Sequence, residues 1–159
     1  MDLPRRKSQR LKSYDYATEK YYFVTICTID KQNLLGKIIN QNDTVKMDYS
    51  FAGNIALKHL KNIENHFDEI KIDKYVIMPN HIHIIIAIGC NGNSERSRPF
   101  PTLSTVIGLY KSGVSREVGS KIWQKSFHDH IIRNKNDYLK IWEYIENNPL
   151  KWDLDCYYN

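Results

Sequence analysis

"EIKIDKYVIMPNHIHIIIAI", residues 69–88, decides how the rest of the chain is read. Its first half alternates apolar and polar residues like a strand with one wet face. Pro79–Asn80 then make a turn, and "HIHIIIAI" (81–88) returns as a nearly unbroken apolar strand, as interior strands do. Two strands this close form an antiparallel hairpin, and the second is central to its sheet. Within that interior strand stand His81 and His83. Side chains alternate along a strand, so both imidazoles share one face and Ile82 and Ile84 take the other. Each ring brings polar nitrogens to a place where an unsatisfied polar group costs free energy. Two imidazoles at this spacing either find hydrogen-bond partners or take adjacent positions on one metal ion.

Working outward, "YYFVTICTI" (21–29) is aromatic and β-branched and predicts a strand, with a turn near Asn33–Gly36 and a short strand pair near 35–47. Phe51, Ile55, Ala56, Leu60, Ile63 and Phe67 recur at three- and four-residue steps, so 49–67 is an amphipathic helix. "GCNGNSERSRPF" (89–100) has loop composition. A second helix runs from Pro101 to about Val118, with Val106, Tyr110 and Val114 along one side. Lys111 with Ser115, and Ser112 with Arg116, line another side. Residues 121–133 hold a strand and a loop. A third helix spans 134–149, started near Asn136 and stopped by Pro149. Strand, helix, hairpin, helix, strand predicts an α+β sandwich: an antiparallel sheet with helices packed on it.

The 159 residues suffice for one core and too few for two ordinary domains, so a single domain is expected, with a basic arm at 1–13 and the body at 14–158. The formal net charge is +5, and Arg5, Arg6, Lys7, Arg10 and Lys12 concentrate part of it in the arm, which favours a polyanionic partner. Cys27, Cys90 and Cys156 are odd in number and widely spaced, which fits neither a disulfide framework nor a zinc ribbon. Neither a membrane-length apolar run nor a secretory leader is evident, so a reducing cytoplasm is the expected location.

On the third helix, Tyr138, Ile141, Trp142 and Ile145 cluster on the face turned to the sheet. Tyr144 and Asn148 lie one turn apart at its border, a phenol beside an amide. Spacing leaves open an ordinary boundary tyrosine with a helix-ending asparagine.

Four segments now line up: "VIMPNHIHIII", "LSTVIGLYKSGVSR", "IWQKSFHDHIIRN" and "YIENNPLKW". In order and character they resemble the REP-associated tyrosine transposases, the single-tyrosine branch of the HUH endonucleases (the IS200-like transposases), with the likeness running from about Tyr14 to Tyr158. The resemblance implies a ferredoxin-like HUH fold. It implies that His81 and His83 hold Mg²⁺ or Mn²⁺, that Asn148 supplies a third ligand where relatives often have Gln, and that Tyr144 is the nucleophile. It also implies a substrate of single-stranded DNA carrying a palindromic hairpin, cut and rejoined through a 5′-phosphotyrosine.

The chemistry is consistent with those residue types. A phenol, with a pKa near ~10, is a weak nucleophile at neutral pH, and a cation can polarise the phosphate and offset developing charge. A covalent link preserves the broken bond for rejoining. A second His-x-His, "HDH" at 128–130, competes on spacing alone, but the family pattern does not tie it to the tyrosine. DNA contacts are expected from Arg5, Arg6, Lys7, Lys111, Ser112, Ser115, Arg116, His130 and Arg133, with Tyr21, Tyr22 or Phe100 as stacking candidates. A domesticated hairpin-binding protein that no longer cuts is the alternative function. Both a homodimer and a monomer are compatible with the sequence.

Overall fold

The computed structural model of the protein describes residues 20–89, 100–155, 157 and 158. Arg5, Arg6 and Lys7 of the expected basic arm, and nearly all of the 89–100 loop, lie outside the described residues. The main sheet holds β1 (Lys20–Cys27), β4 (Ile70–Ile77), β5 (His81–Ile88) and β6 (His128–Ile132), in the order β4-β5-β1-β6 and wholly antiparallel. β2 (Gly36–Gln41) and β3 (Thr44–Tyr49) form a separate hairpin. Set aside that hairpin and the strand–helix–strand, strand–helix–strand order is ferredoxin-like, as the resemblance implies.

α1 (Phe51–His66) and α2 (Leu103–Val118) cover one face of the sheet. Ile82, Ile84, Ile86 and Ile88 of β5 point into that layer and meet Ile55, Leu60, Ile63, Val106, Ile107 and Val114. α3 (Lys135–Asn147) covers the opposite face, where Ile85 packs with Ile132 and Ile145. The histidines share the parity of Ile85, so they lie on the α3 side.

Local chemistry sets the helix ends. Ser50 caps α1 by accepting from Gly53 N, and its hydroxyl donates to Leu34 O. Thr102 caps α2 through Thr105 N, and Gly119 ends it at φ +89°, a conformation that suits glycine. The cap of α3 is Asn134, two residues ahead of the expected Asn136.

Pro79 and Asn80 make the β4–β5 turn as expected, with Met78 N donating to His81 O across it, and their carbonyls serve the 28–35 loop. Pro79 O accepts from Leu35 N, and Asn80 O accepts from Thr28 N.

One irregularity positions α3. The β4–β5 register shifts between Ile72 and Lys74, a bulge that leaves Asp73 as the extra residue. Asp73 accepts from the Tyr138 hydroxyl, while Lys74 pairs with Glu146 and sits 4.0 Å from the centroid of Trp142. Positions 138, 142 and 146 are successive turns of one helix side, so two adjacent β4 residues moor three turns of α3. Trp142 accordingly meets the sheet through Lys74 of its edge strand β4 and stays partly exposed, so the sheet-facing stripe is less buried there than periodicity predicts.

Candidate metal centre

Both histidines of β5 are buried, His81 at 0% exposure and His83 at 1%, with ring centroids 4.5 Å apart. Each has one nitrogen committed. His81 Nδ1 lies 2.8 Å from Asn80 Oδ1, and His83 Nδ1 lies 2.8 Å from Thr25 Oγ1 on the neighbouring strand. The Asn80 oxygen can only accept, which fixes a proton on His81 Nδ1 and leaves the Nε2 lone pair open. Asn80 itself is fully used, since its amide nitrogen donates to Lys31 O and Tyr157 O. Such partners orient metal-binding imidazoles.

The open nitrogens have company. Among the described residues, His81 Nε2, His83 Nε2, Asn148 Oδ1 and Asp155 Oδ2 are all buried without a hydrogen-bond partner. Asp155 Oδ2 is 3.7 Å from His81 Nε2, and its side chain is 0% exposed. Ligand atoms of His81, His83 and Asp155 lie within 4.8 Å of one another. Donors sharing a cation at about 2.1 Å stand roughly 3–4.2 Å apart, so this set needs little contraction to close on one ion. Four orphaned buried polar atoms are otherwise costly. Their donor chemistry, two imidazole nitrogens, an amide oxygen and a carboxylate, fits a divalent cation.

Sequence reasoning missed Asp155. The 3-10 turn at Pro149–Leu154 folds it back under the sheet, and no local pattern marks that return. An acidic residue just past the Asn148 helix end was the available hint.

The surroundings are aromatic. His81 lies 6.0 Å from Trp152 and 4.5 Å from Tyr157, and His83 lies 5.2 Å from Tyr144, all between ring centroids. Tyr144 also meets Phe23 edge-on at 6.2 Å, yet it remains 42% exposed. Its ring thus bridges the buried imidazoles and solvent. Asn148, one turn on, is 2% exposed.

Burial drives the His81 pKa down to about 4, against the opposing pull of the Asp155 carboxylate and Asn148. Burial, then the neighbouring His81, hold His83 well below the ordinary imidazole value. Both rings are therefore neutral at pH 7 and keep lone pairs for a metal. The unfolded chain takes up these protons near pH 6.5 and the folded chain only far lower, so unfolding binds protons in between. The metal-free protein is expected to lose stability as pH falls from about 6.5 towards 4, by on the order of 3 kcal/mol for His81 alone. Melting curves across that range, in chelator, check this; a flat profile would contradict neutral buried rings.

His128 and His130 stand on the same sheet face. The ladder places His128 opposite Thr25, and His130 opposite Phe23. Both are exposed on the outer strand, and His130 Nε2 pairs with Asp137 at 2.8 Å. The metal-capable group among the described residues forms at 81, 83 and 155 instead. Of the expected DNA contacts, Arg116 and Arg133 are exposed. Lys111 Nζ donates to Gln124 O and Ser126 O, and Ser112 Oγ donates to Gly108 O. Ser115 is half-buried on α2. Tyr21 packs edge-on to Tyr138, and Tyr22 and Phe100 pack against the main core.

Among solved structures, a REP-associated tyrosine transposase bound to a REP hairpin superposes with a TM-score of 0.62, covering 84% of this chain and 68% of that one at 21% identity. The chain has the fold of the REP-associated tyrosine transposases. A protein of Deinococcus radiodurans R1, provisionally assigned as a transposase, shares this transposase fold with a TM-score of 0.51 at 14% identity, covering 92% and 97% of the two chains. An uncharacterized protein of Haemophilus influenzae is 37% identical over an alignment 171 positions long that covers 96% of this chain and 93% of that one, and the two belong to one family. No family model matches the sequence. No helix among the described residues is long and apolar enough to cross a membrane, so the transposase fold stands here without a membrane-spanning helix in that part.

Proposed function

We propose that the protein is a metal-dependent DNA strand transferase. It binds hairpin-bearing single-stranded DNA and cuts and rejoins it through a 5′-phosphotyrosine on Tyr144. The observation that carries this reading is the grouping of buried ligand atoms of His81, His83 and Asp155 within 4.8 Å, with Asn148 acting on His81, beside the half-exposed Tyr144 that packs on His83. The fold neighbour solved with a REP hairpin supports a hairpin partner.

Each residue then has a defined task. His81, His83, Asn148 and Asp155 would hold Mg²⁺ or Mn²⁺, with Asn80 and Thr25 fixing the two rings. The cation would polarise the scissile phosphate and offset its developing charge. Tyr144 attacks phosphorus through its phenolic oxygen; the phosphorus–O3′ bond breaks, the phenolic proton leaves to solvent, and the 3′ oxygen is protonated. Rejoining is the reverse step, with a 3′-hydroxyl attacking the phosphotyrosine.

The test is incubation of the intact chain with hairpin-bearing single-stranded DNA, with Mg²⁺, with Mn²⁺ and with chelator. A denaturant-resistant protein–DNA adduct that needs the metal is the expected product. Hairpin binding with no adduct under either metal would replace this reading with the non-catalytic hairpin binder.

A further inference from the structure

A cleft of about 750 Å³ opens between the β2–β3 hairpin and Pro149, Leu150, Trp152, Asp153 and Tyr158. That size suits a small ligand or one to two nucleotides. Its walls include Pro79 and Pro149, the chain neighbours of Asn80–His81 and of Asn148, so the cleft and the candidate metal centre are built on the same segments. Trp152 belongs to both: it lines the cleft, and its ring centroid is 6.0 Å from that of His81. Tyr158 stands edge-on to Trp152 at 5.2 Å and is 53% exposed, and Tyr49 adds a third aromatic ring to the lining.

The charges in the cleft select among DNA groups. Lys37 lies directly opposite Asp48 in the β2–β3 ladder, so these two balance, and Asp153 leaves the lining net negative. A phosphate would be repelled there. An unpaired base is not: it stacks on aromatic rings, and its exocyclic amine donates to a carboxylate.

We propose that this cleft is a nucleobase subsite that takes an unpaired, amino-bearing base (adenine, cytosine or guanine) from the strand next to the scissile phosphate. The identity of the occupant rests on the strand-transferase reading. Thymine, which has no exocyclic amine and whose one ring N–H is flanked by two carbonyls that a carboxylate repels, is disfavoured beside Asp153.

The experiment needs no chemistry and no hairpin. Fluorescence anisotropy of labelled d(A)6, d(C)6 and d(T)6 is followed with the full chain in chelator. Adenine and cytosine oligomers should bind more tightly than thymine. Tyr158→Ala should weaken them by about 5- to 150-fold, the range for losing one stacked base. Asp153→Ala should erase the preference over thymine while keeping affinity. Melting curves of both exposed-residue variants should match wild type, which excludes misfolding as the cause. Equal binding of the three oligomers, no binding at all, or indifference to both variants would overturn the subsite. Adduct formation with no dependence on the cleft would leave the strand-transferase reading standing and remove only this inference. Base-selective binding in a chain that never forms an adduct would do the reverse.

Discussion

Tyr144→Phe is expected to abolish the covalent protein–DNA adduct while hairpin affinity stays within about twofold of wild type. The substitution deletes one oxygen and keeps the ring that packs against His83 and Phe23, so the fold has no reason to change. Loss of a nucleophile that forms a covalent intermediate lowers rates by roughly four to six orders of magnitude in enzymes where it has been separated from binding. The adduct assay resolves such a drop as a missing band. Tyr157 is the internal control, because its ring is 4.5 Å from His81 and 5.9 Å from His83. An adduct that survives Tyr144→Phe and vanishes in Tyr157→Phe would move the nucleophile to the tail. One that survives both would end the tyrosine mechanism.

The second large effect changes sign with metal. Asp155 keeps a carboxylate at 0% side-chain exposure, and its Oδ2 has no hydrogen-bond partner. His81, whose Nε2 is 3.7 Å from that oxygen, is held neutral by burial. An uncompensated buried charge destabilises a fold. Asp155→Asn removes the charge and keeps an oxygen able to accept from Tyr157 N, the bond that the carboxylate makes now. Without metal, the variant should melt at or above the wild-type temperature. With Mn²⁺ the order should reverse, because wild type gains a ligated cation and the variant loses one ligand's charge. A loss of affinity of about 100-fold takes away roughly 2.7 kcal/mol of ligand-linked stability when the metal is well above its dissociation constant. Paired melting curves in chelator and in Mn²⁺ measure both halves. Equal metal-induced shifts in the two proteins would remove Asp155 from the centre.

The legible part of this fold is the part with a period. The apolar run at 82–88, the alternation at 69–77 and the four-residue steps of α1 and α2 each state which face is buried, and the faces fit together in one way. His81 and His83 stand out because they interrupt the apolar run of β5 with polar groups, whereas Tyr144 and Asn148 only border the α3 stripe and are singled out by the family resemblance. Three things had no period to interrupt. Asp155 reaches the site only through the turn at 149–154, in a segment whose residues alternate with nothing. Asn80 reads as a turn residue, and its service to His81 is visible only once Lys31 and Tyr157 are seen to use the rest of its amide. The bulge at Asp73 draws two neighbouring side chains of β4 to α3, which ideal alternation forbids, so Trp142 meets Lys74 at the sheet's edge and stays partly exposed.

That bulge has a consequence for how copies of the protein would cooperate. Because Asp73 and Lys74 tie α3 down across its own sheet, the proposed nucleophile and ligands are expected to act within one polypeptide. Two crippled versions, one lacking the phenol and one lacking an imidazole, should therefore fail to rescue each other when mixed. Recovery of adduct in a blend of Tyr144→Phe and His83→Ala chains would mean that the helix can leave its moorings and serve a neighbour.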